Sequence, residues 1–410
     1  MDSLRKACLF CICCYVAFGD VSFAKKPKSK ESNSHTIGIC ESLSEVSCQS
    51  CANINAQNTD ILGFTLKYDN EKCQQSQQNN VSSLSTKSDK HAFLLIYDND
   101  SNFNSKVDKY YTAGVSLKFH SKDLAQESNK KFYKFMNAIS LPSFFVKYLP
   151  KIHDETILLP SFAIALAQEM YAPKDRFSNP PPANDHPYSG ALYLSATVQN
   201  RFKYILEQFE AQVGVVGKAS LAKQTQDFIH DISGNARLKG WEAQLKNEPL
   251  FNVYYRLSFS IPQVYEKSKH IVDIMPQASF GLGNAKIHAQ ANLLMRVGYN
   301  LSPNVLSPHI NSGFVSGNMQ HYGFSVQAFM GAGIRAVVRN MFLQGNSFAP
   351  RKDIDLHRAV GEFICGSSLN YKRFFIAYTA IARTKEFISQ QDTNFLGIHT
   401  YGSIIVGGNF

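Results

Sequence analysis

Residues 92–410 contain many short segments in which apolar and polar side chains alternate one by one, and this period of two limits the possible folds. The segments 192–199, 251–261 and 322–328 show the alternation most clearly. Successive side chains of a β-strand point to opposite faces, so each segment predicts a strand with one apolar and one polar face. Beyond residue 24, no stretch approaches the roughly 18 apolar residues of a membrane helix. A soluble sheet protein and a membrane β-barrel both remain possible.

Two features of the candidate strands favour the membrane barrel. Their length of about ten residues suits a tilted strand that crosses a bilayer, and the chain ends on an aromatic residue, Phe410, as bacterial outer-membrane barrels typically do. Their number is even, as a closed single-chain barrel requires. We therefore expect an all-β fold, a 12-stranded antiparallel transmembrane β-barrel over residues 91–410 in a Gram-negative outer membrane, with strands at 92–98, 108–119, 160–169, 189–199, 203–213, 251–261, 271–282, 288–298, 320–334, 357–368, 372–383 and 397–410.

The strand order also predicts which connections lie on each side of the membrane. If the first strand starts in the periplasm, 120–159 and 299–319 are periplasmic. The first of these stretches suits an amphipathic segment at the membrane surface, since it contains Lys130, Lys131, Lys134 and Phe144-Phe145. Outer loops are typically the longer ones, and here they are about 99–107, 170–188, 214–250, 283–287, 335–356 and 384–396.

Residues 1–24 have the pattern of an export signal. Arg5 and Lys6 precede an apolar stretch, and small residues end it at Ser22-Phe23-Ala24. A buried N-terminal helix is the weaker alternative. Residues 25–90 form a polar extension, and its four cysteines predict two disulfides whose pairing stays open: Cys40, Cys48, Cys51 and Cys73.

The formal net charge of +10 suits an anionic partner, either a phosphorylated lipid or a nucleic acid. No segment has the pattern of a nucleic-acid-binding module, and an exported protein rarely meets nucleic acid. We therefore expect no nucleic-acid partner.

The longest outer loop contains the strongest candidate for chemistry. Residues 220–230 break the period of two and predict a short helix with Ser220 as its N-cap. Gln226 and His230 are four residues apart and share one face of that helix. Histidine is the usual general base near neutral pH. A surface histidine beside a polar helix face fits the same spacing.

Asp98-Asn99-Asp100, at the end of the first strand, is a second candidate. Carboxylate and amide oxygens are ligands that calcium accepts in irregular geometry. A plain Asx-rich turn between two strands fits the same residues. The spacing is not that of an EF-hand loop.

Several basic residues lie near the outer strand ends, and they suit either phosphate binding or interior ion pairs with Glu362 or Glu386. They are Arg335, Arg339, Arg383 and Lys385. Turns with special backbone needs lie at 184–190 and 339–348. No G-x-S-x-G motif occurs, which weakens a serine-hydrolase interpretation.

Taken together, these segments resemble the lipid A 3′-O-deacylase family of outer-membrane barrels. The similarity runs in order over roughly 91–410. It is carried by Asn99-Asp100, Tyr110-Tyr111-Thr112-Ala113-Gly114, Asp185-His186-Pro187-Tyr188-Ser189-Gly190, Gly214-Val215-Val216-Gly217, Thr225 to Asp231, Gly240-Trp241 through Pro249, Arg339-Asn340 to Phe348, and Arg383-Thr384-Lys385-Glu386-Phe387.

The resemblance implies a twelve-stranded barrel and a calcium-dependent site between the barrel wall and the helix of an outer loop. It makes His230 the catalytic base with Gln226 beside it, and it assigns Asn99, Asp100 and Thr112 to the same site. Asp100 is the expected calcium ligand. Substrate-binding residues are expected at Asp185, His186, Arg339 and Arg383. His186 stands where the family has an arginine, and Ser189 and Ala113 also depart from its pattern, which affects headgroup recognition most.

The expected function is therefore removal of the 3′-linked acyl chain from lipid A of lipopolysaccharide, with Ca²⁺ as cofactor and the active site toward the outer leaflet. The protein is expected to act as a monomer. A non-catalytic barrel, such as a porin or adhesin, and an outer-membrane phospholipase with a serine nucleophile are the alternatives, because a fold does not guarantee an activity.

Overall fold

The computed structural model describes residues 90–100, 109–124, 130–141, 159–202, 205–265, 270–301, 309–310, 312, 314, 324–390 and 397–410. The expected export signal, most of the polar extension and the expected disulfides lie outside the described residues. In the described part, the one free cysteine is the buried Cys365.

The described residues form a closed antiparallel barrel of twelve strands, as the sequence predicts. Each strand pairs with the next along the chain, and the first pairs with the last from Ala92↔Asn409 to Asn99↔Gly402. The sixth strand is interrupted at Ser260 and continues as Ile261–Tyr265. The strands are β1 Ala92–Asn99, β2 Tyr110–His120, β3 Leu159–Ala172, β4 Ser189–Arg201, β5 Ile205–Val216, β6 Glu248–Phe259, β7 His270–Gly283, β8 Lys286–Tyr299, β9 Phe324–Asn340, β10 Ala359–Tyr371, β11 Phe374–Arg383 and β12 His399–Asn409.

The two faces of the strands differ as a membrane barrel requires. The outward side chains are apolar and exposed, among them Phe93, Leu117, Leu194, Phe251 and Leu282. The inward side chains include many buried polar and charged groups. This arrangement is the reverse of a soluble sandwich, because lipid solvates the apolar face.

Ion pairs cross the barrel interior near its outer end. Lys286 Nζ lies 3.0 Å from Glu169 Oε2, and Arg383 Nη2 lies 2.5 Å from Glu362 Oε2. Near the other end, Arg201 pairs with Asp123. Each charge in these three pairs has an opposite partner, as expected because an unpaired charge in a poorly solvated interior is costly.

The connection between β8 and β9 turns into the barrel. Of its described residues, His309 and Phe314 are buried, and the Ile310 backbone N–H donates to Asp98 Oδ2 at 3.0 Å. His309 Nε2 lies 3.6 Å from Glu362 Oε1. Strand parity placed 299–319 on the periplasmic side, which is where β8 ends, but parity carries no information on this inward fold.

Among the described residues, three α-helices accompany the strands: α1 Lys130–Ile139, α2 Ala222–Ser233 and α3 Met341–Gln344. A short hairpin, Gly345–Asn346 with Ala349–Pro350, follows α3. No helix in the described part of the chain is long and apolar enough to cross a membrane. Several strand bounds differ from the predicted ones, and the largest difference is at β9, which extends to Asn340, so Arg335 and Arg339 lie on the strand rather than in an outer loop.

Candidate active site

Helix α2 packs on the outside of the barrel wall, over the outer ends of β2, β3 and β4. Met170 and Ala172 point away from the barrel interior, since their neighbours Glu169 and Tyr171 point into it. Both are nevertheless buried, because α2 and the loop after it cover them. Together they form one apolar cluster of Ala113, Met170, Ala172, Tyr188, Ala222, Leu238 and Trp241. We call it the outer-wall cluster.

The start of α2 depends on close contact with the wall at Gly190. A side-chain Cβ at this position would lie 2.2 Å from Ala222 Cβ and 2.4 Å from Ser220 Oγ. The Gln168 side-chain amide also donates to the Ser220 carbonyl oxygen at 2.6 Å. Glycine therefore permits the approach that the helix makes.

The prediction that Ser220 caps α2 was wrong. Ser220 ends a short 3₁₀ turn, where its hydroxyl donates to the Gly217 carbonyl oxygen at 2.6 Å. The helix begins at Ala222, and the residue before it, Leu221, has a left-handed backbone and makes no side-chain cap. The wall contacts of Ser220 and Ala222 replace the cap in positioning the helix.

Helix α2 has two contrasting faces, and the predicted pair shares one of them. Gln226 and His230 are 4% and 8% exposed, on the face toward the wall. On the opposite face, Phe228 and Ile232 are 64% and 72% exposed. A helix seated on a lipid-facing wall with an apolar outer face is suited to lie in the lipid.

Trp241 holds Gln226 in place. Its indole N–H donates to Gln226 Oε1 at 2.7 Å, and both side chains are buried. The bond uses the carbonyl end of the Gln226 amide, so the amide nitrogen is the end that can donate to a ligand. The sequence alone indicates no role for Trp241, although it is the single tryptophan of the chain and lies in the longest outer loop.

His230 is oriented by the loop after the helix. Its Nδ1 lies 2.7 Å from the Ala236 carbonyl oxygen, which can only accept, so Nδ1 donates. In a neutral ring this places the lone pair on Nε2, the state of a general base. The loop turns back at Gly234, whose φ of 71° is left-handed, and Asp231 and Arg237 form an ion pair across it.

Asn99, Thr112 and Asp100 lie on the rim beside the outer-wall cluster. Asn99 is paired with Ala113, and Ala113 with Met170, along one row of the sheet. Thr112 occupies a bulge next to Ala113, and its hydroxyl donates to the Met170 carbonyl oxygen at 3.2 Å.

Gln226 and His230 of α2 connect to the same outer-wall cluster. Gln226 is bonded to Trp241, which belongs to it, and His230 follows one turn later on the same face. The contacts thus place Asn99, Thr112 and Gln226 beside the outer-wall cluster and His230 one turn further along α2, and their joint role stays a prediction.

The rim residues are chemically suited to calcium. Asp100 follows Asn99 directly, is 2% exposed, and accepts from the Lys109 backbone N–H through Oδ2 at 2.7 Å. Calcium accepts amide, hydroxyl and backbone carbonyl oxygens beside carboxylates. Asp100, Asn99 and Thr112 supply such oxygens. Within the described residues, no group of three or more His, Cys, Asp or Glu side chains is placed to hold a metal ion.

The predicted substrate residues Asp185 and His186 have structural contacts of their own. His186 is buried, its ring stacks on Tyr171 with centroids 5.5 Å apart, and its Nδ1 lies 2.7 Å from the Pro187 carbonyl oxygen. Burial lowers the pKa of His186, which favours the neutral ring. A neutral, buried ring offers no charge to a phosphate. Asp185 accepts from the backbone N–H of Asp175 at 3.0 Å and so shapes its own loop.

The two arginines that were predicted to bind substrate lie in different places. Arg383 is buried inside the barrel, where its guanidinium donates to Glu362 and to the Tyr401 hydroxyl. This is the interior ion pair that the sequence left open as an alternative. Arg339 is half-buried at the rim and donates to the Asn284 carbonyl oxygen at 2.6 Å and to Ser347 Oγ at 3.0 Å.

Comparisons with known proteins agree with this architecture. The family model described as outer membrane protein LpxR matches residues 62–410. The solved structure of LpxR from Salmonella typhimurium matches with a TM-score of 0.61 at 18% identity, covering 78% of this chain and all of that one. At this identity the match shows the fold.

Two other solved structures match more weakly. The β-domain of the Bordetella autotransporter BrkA has a TM-score of 0.36 at 8% identity, covering 80% of this chain and 99% of that one. An outer membrane channel from Pseudomonas putida F1 has a TM-score of 0.37 at 8% identity, covering 80% and 96%. The comparison with curated proteins gives no match. Because the family model spans most of the sequence, this chain belongs to the LpxR family of outer membrane proteins.

Proposed function

We propose that this protein is a calcium-dependent lipid A 3′-O-deacylase that works in the outer leaflet of the outer membrane. One observation carries the proposal: α2 turns Gln226 and His230 toward the barrel wall and turns an apolar face outward. This arrangement lets acyl chains stay in the lipid while an ester linkage reaches polar groups. The closed ring of strands within one chain fits a monomer as the active unit.

His230 is the proposed general base. Nε2 takes a proton from a water molecule, whose oxygen attacks the carbonyl carbon of the 3′-linked ester. The bond between the carbonyl carbon and the 3′-oxygen of the sugar then breaks, and the proton passes from His230 to the departing 3′-oxygen. One water is consumed, and the products are a 3′-hydroxyl and a free carboxylic acid. No serine nucleophile is needed.

Asn99 and Gln226 are proposed to stabilise the negative charge that develops on the carbonyl oxygen, because both side-chain amides carry N–H donors. The Thr112 hydroxyl donates to the Met170 carbonyl oxygen, so Thr112 is proposed to contribute to the site through its oxygen. Trp241 donates to the carbonyl end of the Gln226 amide, so the nitrogen is the end proposed to face the site. The loss of one donor of this kind typically lowers the rate about 10²- to 10³-fold.

Calcium is proposed to be held through Asp100, with Asn99 and Thr112 as further oxygen donors. When bound, such an ion polarises an ester carbonyl as a Lewis acid. Arg339 keeps its predicted role at the substrate headgroup, since it lies on the rim and carries a charge suited to phosphate.

Lipid A from cells with and without the protein tests the proposal directly. We expect mass spectrometry to show lipid A lighter by one 3′-linked acyloxyacyl group only in cells that express the protein. Unchanged lipid A, together with stepwise conductance in planar bilayers, would instead favour a porin. Labelling by a covalent serine probe would favour a phospholipase.

Moving α2 by a small amount should also reduce activity. Gly190→Ala places a Cβ 2.2 Å from Ala222 Cβ, so the start of α2 must shift by about an ångström or more. Misplacement of this size commonly costs up to about 10²-fold in rate. We expect a 10- to 10²-fold loss of deacylation, measured with purified protein in detergent.

Gly408→Ala is the matched control, because the nearest heavy atom to its new Cβ lies 3.5 Å away. Both variants should keep the shift in gel mobility on heating that marks a folded barrel. Full activity in folded Gly190→Ala would show that the position of α2 on the wall is not needed.

A further inference from the structure

Helix α1 lies on the outer face of the barrel, at the rim opposite α2. Asn200 and Glu207 fix it there: Asn200 Nδ2 donates to the Met136 carbonyl oxygen at 3.4 Å, and the Leu141 backbone N–H donates to Glu207 Oε1 at 3.0 Å. Both residues point away from the interior, because their neighbours Gln199 and Gln208 bond to each other inside it. α1 therefore lies on the wall that faces lipid.

The anchor under α1 is fully buried. Glu207 and Asn200 are each 0% exposed, and Glu207 also accepts from Asn200 Nδ2 at 2.9 Å and from the Tyr255 hydroxyl at 3.0 Å. A carboxylate on a lipid-facing wall would be costly without such partners. This network seats α1 in one orientation, so the remaining faces of the helix are defined.

The face of α1 away from the wall is basic. At 100° per residue, Lys130, Lys131 and Lys134 occupy the arc opposite the buried Met136, and all three are exposed. Residues 130–141 contain no acidic side chain. Between the basic arc and the wall lies Phe135, which is 55% exposed. This combination of a basic face and an apolar flank is typical of helices that lie in a membrane interface.

Aromatic rings mark the membrane boundary at the same rim. Phe93 stacks on Phe410 with centroids 5.4 Å apart, and Phe119 packs against Phe93 at 5.5 Å. These rings lie at the start of β1 and the ends of β2 and β12. Aromatic girdles of this kind lie at the level of the lipid headgroups. α1 sits at the end of β4 and the start of β5, on the same rim.

We propose that α1 binds the anionic phospholipid headgroups of the periplasmic leaflet. The three lysines project from the lipid-facing wall at headgroup level, where each basic residue typically strengthens binding to an anionic surface about fivefold. A periplasmic protein partner fits less well, since the exposed Phe135 adds an apolar side chain beside the basic arc. The assignment of this leaflet rests on the proposed function, which puts α2 in the outer leaflet.

Lipid selectivity tests the proposal without lipid A, so it can fail separately from the proposed function. The full chain is delipidated in detergent, mixed with equimolar phosphatidylglycerol and phosphatidylcholine, and examined by native mass spectrometry. We expect phosphatidylglycerol to be retained preferentially. In a triple variant with Lys130→Gln, Lys131→Gln and Lys134→Gln, the preference should fall about tenfold or more. High salt should weaken it in the wild type.

Two control variants separate charge from position. Lys→Arg at the same three positions keeps the charge and should keep the preference. Lys174→Gln, Lys239→Gln and Lys352→Gln remove three exposed charges from the outer connections and should leave the preference close to wild type. An unchanged preference in the α1 triple glutamine variant would overturn the proposal, and so would an equal loss in the outer-connection variant. Deacylation in detergent should persist in the α1 variant.

Discussion

His230→Asn is expected to fold and insert normally while losing about 10²- to 10⁴-fold in deacylation rate, the contribution typical of a general base. Asparagine places an amide N–H near the position of Nδ1, so the bond to the Ala236 carbonyl oxygen, 2.7 Å in the wild type, can persist. What disappears is the Nε2 lone pair. The rate is measured on lipid A in detergent, after gel mobility on heating has shown that the barrel is folded.

His357→Asn is the matched control for this variant. His357 lies in the connection between α3 and β10, away from α2, and is half-exposed, so its replacement should leave the rate near wild type. Retention of more than about a tenth of the activity by His230→Asn would be a loss far below that expected for a general base. His230 would then not be the base, and the barrel fold would stand without the proposed mechanism.

Asp100→Asn should produce the second large loss, about 10²-fold or more in rate, the scale of removing one group that stabilises the oxyanion. The substitution keeps an oxygen that can accept from the Lys109 N–H, 2.7 Å away in the wild type. It removes the negative charge that favours a divalent cation. Wild-type protein treated with a calcium chelator should lose activity to a similar degree and recover it when calcium is returned.

The rate losses caused by Asp100→Asn and by calcium chelation should not add, because both remove the same ion. Chelation should therefore change the rate of Asp100→Asn little. Asp353→Asn, a carboxylate of an outer loop paired with Arg351, is the control and should respond to chelation like the wild type. A chelator response in Asp100→Asn as large as that of the wild type would exclude Asp100 as the calcium ligand.

The fold could be predicted from the sequence because every strand of a membrane barrel follows the same local pattern. Each strand must present apolar groups to lipid on every second residue, so the twelve strands and their order can be counted from alternation. The inward fold around Ile310 could not be predicted in this way. It depends on a contact with Asp98, 212 residues earlier in the chain, and such long-range pairing leaves no periodic signal.

The site was predicted in part for the same reason. The shared helix face of Gln226 and His230 follows from their four-residue spacing, and the structure confirms that both are buried together. The start of the helix was missed because contact with Gly190 positions it rather than a side-chain cap. The interior position of Arg383 depends on Glu362, a partner on the neighbouring strand, so sequence spacing left both of its interpretations open.

The charged residues inside the cylinder have a consequence for the cell. Salt bridges lie near both ends of its described interior and the Ile310 segment turns into it, while the proposed chemistry takes place on its outer surface. An enzyme built in this way would meet its substrate by lateral diffusion within a leaflet rather than through the interior of the barrel.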